Sequence, residues 1–128
     1  MNPSDQARQV GVVDSWLGEY KAQSAVADPQ TATVYGDTGE MAGGWYDVLT
    51  TISLVDISGV GQIMIQWRNA ANNATLFDLS IFPQTGNAYV FSLPWSGIKI
   101  SSSERVRVYV NTGFSGFLGV AILAVRRA

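Results

Sequence analysis

From residue 31 onward, apolar and polar positions alternate along the chain, the period of strands that turn one face to a core. The clearest stretch sets Val106, Val108 and Val110 against Arg105, Arg107 and Tyr109. Ile63, Ile65 and Trp67 alternate likewise with Gln62, Met64, Gln66 and Arg68, and Phe77, Leu79 and Ile81 with Asp78 and Ser80. Tyr89, Phe91 and Leu93 alternate with Val90 and Ser92, while Ile52 and Leu54 share one face of a segment over 45–56. A threonine- and valine-rich segment at 31–35, a short one at 98–100 and an apolar run at 117–125 complete a prediction of eight strands. Turn residues separate them: Gly36-Asp37-Thr38-Gly39, Ser58-Gly59-Val60-Gly61, residues 69–73 and 83–87, Pro94-Trp95-Ser96-Gly97, and residues 111–116. Evenly spaced strands with no helical period past residue 30 predict an all-β fold, an antiparallel β-sandwich of jelly-roll type.

The first thirty residues have a different texture. Val10, Val13, Leu17 and Tyr20 recur at helical spacing, and Ser4-Asp5 can cap a helix start. Gly11 and Gly18 each weaken such a helix by up to about 1 kcal/mol relative to alanine. The alternative is an extended arm that orders against a partner. Asp28-Pro29 ends the segment, because a residue before proline is pushed out of the helical region. The chain therefore divides into an N-terminal arm or short helix at 1–30 and a sandwich domain at 31–128. Deleting residues 1–30 is expected to leave the sandwich folded.

The run at 117–125 breaks the alternation, since it has no polar residue on either face. Exposed, such a strand invites aggregation. Either it is central in its sheet with both faces covered, or one face meets another subunit or the N-terminal segment, and association with another subunit is the favoured reading. Outward positions at Met64, Leu76, Phe82 and Val90 add to the surface that needs covering.

Composition narrows the chemistry. The 128 residues, 47% hydrophobic and 14% charged, suit one globular domain with its own core. There is no cysteine and no histidine. That excludes disulfides, thiolate metal sites, and every Ser-His or Cys-His nucleophile arrangement. Paired carboxylates for glycoside hydrolysis must stand about 5–9 Å apart. Asp47 and Asp56 lie in or beside one strand, roughly 30 Å apart when extended, and Asp78 has no companion. Asp37 and Glu40 are two acids where calcium wants six to eight oxygens, so a turn is the better reading. A non-enzyme is expected, with no cofactor and no metal.

Net charge is −2, but the halves disagree. Residues 1–64 carry Arg8 and Lys21 against eight acids, a net of −6; residues 65–128 carry six bases against Asp78 and Glu104, a net of +4. Such asymmetry can steer like subunits together head to tail. The acidic total argues against a dedicated nucleic-acid binder. The start of the chain lacks the basic-then-apolar build of a secretory signal, and the longest apolar run falls short of the about twenty residues of a membrane helix. Neither direct nucleic-acid contact nor a membrane partner is expected.

Two sets of residues remain as candidate contacts. Val10, Val13, Trp16, Leu17 and Tyr20 would bury against a neighbour, while Arg105, Arg107, Arg126 and Arg127 would meet acids, those of another subunit's first half included. The second set of possibilities is carbohydrate: Trp45 and Tyr46 after Gly43-Gly44, and Trp95 beside Pro94, are suited to stacking on sugar rings in a carbohydrate-binding module. Trp67 shares the phase of Ile63 and Ile65 and is expected in the core.

Taken together, the arm at 1–30, the even strands from Thr31 and the close from Val106-Arg107-Val108-Tyr109-Val110 to Arg126-Arg127-Ala128 resemble the small virion structural proteins of tailed bacteriophages. These are the capsid decoration or cement proteins and related minor head and tail components. The resemblance implies a subunit, trimeric and made in the host cytoplasm, that joins a virion by binding copies of itself and a major capsid or tail protein. It implies no catalytic residue.

Overall fold

A computed structural model describes residues 18–86 and 88–127. They form eight strands: β1 (Glu19–Ala27), β2 (Val34–Asp37), β3 (Gly44–Ser58), β4 (Gln62–Arg68), β5 (Thr75–Ile81), β6 (Tyr89–Ile100), β7 (Arg105–Thr112) and β8 (Ser115–Arg126). Two four-stranded sheets, in the orders β1-β8-β3-β6 and β2-β7-β4-β5, pack face to face, and every pairing is antiparallel. The chain changes sheet at most of its connections, with β4–β5 a hairpin within one. This is the jelly-roll arrangement. The alternation dictates it: Tyr46, Val48, Ile52 and Leu54 of β3 and Leu118, Val120 and Ile122 of β8 face Ile63 and Ile65 of β4 and Val106, Val108 and Val110 of β7, all buried.

Three features differ from what the sequence pattern predicts. Residues 19–27 are no arm or helix; they pair along their whole length with β8, from Glu19–Val125 to Ala27–Phe117. The sandwich therefore begins at residue 19, not 31, and Tyr20 packs against its core. The period of two was faint because alanine stands on both faces of β1 and Ser24 breaks the inward apolar row of Tyr20, Ala22 and Val26. Val10, Val13, Trp16 and Leu17 lie outside the described residues.

The segments at 89–93 and 98–100 are one strand, β6, running through Pro94-Trp95-Ser96-Gly97. β6 is an edge strand, paired only with β3, and an edge tolerates a proline because half of its donors have no strand to bond. The extra residue is absorbed as a bulge opposite Tyr46–Val48, where Gly97 takes φ +62° and its N–H donates to Asp47 Oδ1 at 2.9 Å. Likewise Gly36-Asp37 continue β2 rather than turning. Gly36 lies so close to β8 that a Cβ there would stand 2.8 Å from Val120 Cγ1.

Candidate functional site

β8 sits between β1 and β3, as an apolar strand requires. Its inward residues are buried. Its outward residues join those of its neighbours in four cross-strand rows: Lys21–Leu123–Leu49–Pro94, Gln23–Ala121–Thr51–Ser92, Ala25–Gly119–Ser53–Val90 and Ala27–Phe117–Val55. No described residue covers this face. Val90 is 62% exposed, Phe117 54% and Leu123 37%. Apolar side chains gather at both ends, and the small residues between them leave a shallow depression of ≈ 420 Å³ lined by Gln23, Ala25, Thr51, Ser53, Gly119 and Ala121. A second, smaller depression of ≈ 240 Å³ lies by Leu49, Pro94, Leu123 and Val125. Few charges interrupt the surface, and those at its margin are partly neutralised: Lys21 pairs with Glu19 at 3.3 Å and Arg127 with Asp47 at 3.5 Å. Among the described residues no three acidic side chains gather as metal ligands would.

The candidate aromatics do not form one platform. Tyr46 is fully buried and donates a hydrogen bond to the Ala42 carbonyl at 2.7 Å. It cannot stack on a sugar. Trp95 packs against the core and meets Phe77 edge to face, ring centroids 5.6 Å apart. Only Trp45 of the three is openly exposed, on the outward face with Lys99 Nζ 6.0 Å from its ring. Trp67 is half-buried against the core rather than fully within it, its indole N–H donating to Glu104 Oε1 at 3.0 Å.

The arginines are dispersed. Arg105 and Arg107 project from the outward face of the second sheet, on the far side of the sandwich from β8. Arg105 meets acids of its own chain, Asp37 at 3.3 Å and Glu40 at 3.9 Å. Arg127 meets Asp47, and the Arg126 backbone N–H donates to the Gly18 carbonyl at 2.7 Å, next to Tyr46. The acidic half and the basic half thus neutralise each other within one molecule at Arg105 and Arg127. Leu49 was not singled out in the sequence, because an outward leucine with Asp47 and Thr51 on its own face gives no periodic signal until strand order places it next to Leu123. Leu76 and Phe82, which were singled out, are exposed but stand apart from this face.

No protein-family model matches the sequence, and no curated protein matches it. Solved structures resemble it in fold. The Eiger TNF of S. frugiperda superposes with a TM-score of 0.54 over 87% of this chain and 91% of its own, at 14% identity. The vertex protein P5 of PRD1 does so with a TM-score of 0.50 over 87% and 97%, at 10% identity. A weaker likeness, TM-score 0.44 over 90% of this chain and 26% of the other at 7% identity, is to the CBM22-1–GH10 modules of Clostridium thermocellum endo-1,4-β-D-xylanase 10B complexed with xylohexaose.

Proposed function

We propose that this protein is a non-catalytic structural subunit of a phage virion that self-associates, as a trimer or larger ring, and stabilises a capsid or tail assembly together with the major capsid or tail protein. The outward face of β1-β8-β3-β6, which no described residue covers, carries this reading. Four strands about 4.8 Å apart and nine residues long at about 3.4 Å each give a footprint of about 600 Å² per subunit. Buried against an equal area of a neighbouring subunit, it removes on the order of 1,200 Å² from water, which clears the roughly 1,000 Å² that a specific interface needs. The PRD1 vertex protein, a virion component with the same architecture, supports the location.

Light scattering on a sizing column tests the self-association. The wild type is expected at a multiple of 13.8 kDa. Ala121→Arg, at the centre of the face and outside the core, is expected to shift it to the monomer with its circular dichroism unchanged. A wild-type monomer, or a variant that stays associated, overturns the reading. A carbohydrate-binding module is the competing class, and it would now rest on Trp45. Saturable glycan binding that Trp45→Ala abolishes would replace the structural reading.

A further inference from the structure

The outward face of the second sheet sets three arginines in adjacent rows: Arg68 opposite Arg105, and Arg107 opposite Gln66. Arg105 is neutralised by Asp37 and Glu40. The other two are held by neutral groups. Arg68 donates through Nε to Asn72 Oδ1 at 3.0 Å, through Nη1 to Thr75 Oγ1 at 2.9 Å and through Nη2 to the Asn72 carbonyl at 2.8 Å. Arg107 donates through Nε to Gln66 Oε1 at 2.7 Å, and its guanidinium lies 5.2 Å from the Tyr109 ring centre. Gln66 is itself almost completely buried, so this support is rigid. Neither arginine forms an ion pair with a carboxylate among the described residues. Asp37 stands opposite Arg107 on β2 but pairs with Arg105, and Asp78 stands opposite Gln66 on β5 in no ion pair.

Two like charges are therefore fixed as diagonal neighbours, and neither is in an ion pair among the described residues. Burial holds the Arg107 pKa below its ordinary value, and the charge on Arg68 lowers it further, while Asp37 and Tyr109 oppose the shift. An incoming carboxylate would relieve that repulsion, and the forks are already ordered to receive it.

We propose that Arg107 and Arg68 receive the carboxylates of an acidic, extended segment of a partner protein. A free small anion gains only the contacts of these two guanidinium groups. Carboxylates carried on one chain arrive together, at high effective concentration. Diagonal neighbours on adjacent strands are about 7–8 Å apart, close to the about 6.8 Å between alternate side chains of a strand. The segment thus carries its acids at alternate positions. This receptor lies on the opposite side of the sandwich from the proposed self-association face, and neither depends on the other.

Fluorescence anisotropy with a labelled peptide of alternating glutamate and threonine tests it, on the full chain at low salt. The wild type is expected to bind saturably, and more tightly than it binds a peptide with the same glutamates in one block. Arg107→Gln is expected to weaken binding about tenfold. Arg107→Lys retains charge and fold but loses the fork, and is expected to weaken it several-fold. Asp78→Asn, which removes the acid opposite Gln66 that would repel an incoming carboxylate, is expected to tighten it, and Lys99→Gln on the other sheet to leave it unchanged. The proposal is overturned by absence of binding, by an equal loss in Lys99→Gln, or by a single-stranded oligonucleotide that binds more tightly than the peptide through Arg107.

Discussion

The Tyr46 hydroxyl is enclosed between the Ala42 carbonyl, which it donates to, and the ring of Tyr20, whose centroid is 6.1 Å from its own. Burial, reinforced by the neighbouring Tyr20, pushes its pKa from the ordinary 10.0 up to about 12. In the unfolded chain the phenol ionises at its ordinary value, so its contribution to stability is complete below pH 10.0 and is lost as pH rises toward about 12. Urea unfolding across that range is expected to show a steep alkaline loss in the wild type and a shallower one in Tyr46→Phe. At neutral pH the same variant is expected to lose about 1 kcal/mol, the net worth of one buried hydrogen bond. Gly113 tests packing of another kind. A Cβ there would fall 1.9 Å from the Gln30 carbonyl oxygen, where the segment after β1 crosses the β7–β8 turn. Gly113→Ala is expected to cost about 2–3 kcal/mol, read from the shift of the denaturation midpoint.

At the scale of elements, β1 and β8 decide each other's fate. β8 is apolar on both faces and is safe from edge-to-edge aggregation only while it is flanked by strands on both sides. β1 supplies one flank over nine paired positions. Truncation separates the two readings of the N-terminal thirty residues. Removing residues 1–17 is expected to preserve cooperative thermal unfolding, since every described strand remains. Removing residues 1–30 is expected to abolish it, because it exposes the β8 edge and uncovers Leu118, Val120 and Ile122. β1 also ties the sheets together at its exit: the Phe114 N–H donates to the Pro29 carbonyl at 3.1 Å and the Val110 N–H to the Thr33 carbonyl at 2.9 Å. Pro29 thus follows the end of β1 and places a carbonyl for the β7–β8 turn.

Across the whole molecule, the charge imbalance between the halves disappears on folding at the positions where strands from each half meet. Arg105 of β7 reaches Asp37 of β2, and Arg127 after β8 reaches Asp47 of β3. Head-to-tail steering by opposite charge therefore loses its strongest groups. Association through the β8 face is expected to be driven by apolar burial, which salt does not screen. The mass measured by light scattering is expected to hold or rise between low and high salt. Dissociation on adding salt would point to an electrostatic interface instead.

The strand periods of β4, β5 and β7 were legible because apolar residues on one face alternate with mostly polar ones on the other, which the sequence records directly. The same record said that β8 needs both faces covered or a partner, the strand order then placing it between β1 and β3, and the absence of histidine and cysteine excluded thiolate and imidazole chemistry. Periodicity is a local property, and it failed where the decisive neighbours are distant in sequence. β1 is a strand because β8 pairs with it, Pro94 is tolerated because β6 is an edge, and Tyr46 is core while Trp45 is surface because β3 faces β4 and β7 on one side only. The uncovered face and the Arg68–Arg107 pair belong to the same class. Each is assembled from residues that no spacing along the chain connects, brought side by side by a strand order that long-range pairing alone decides.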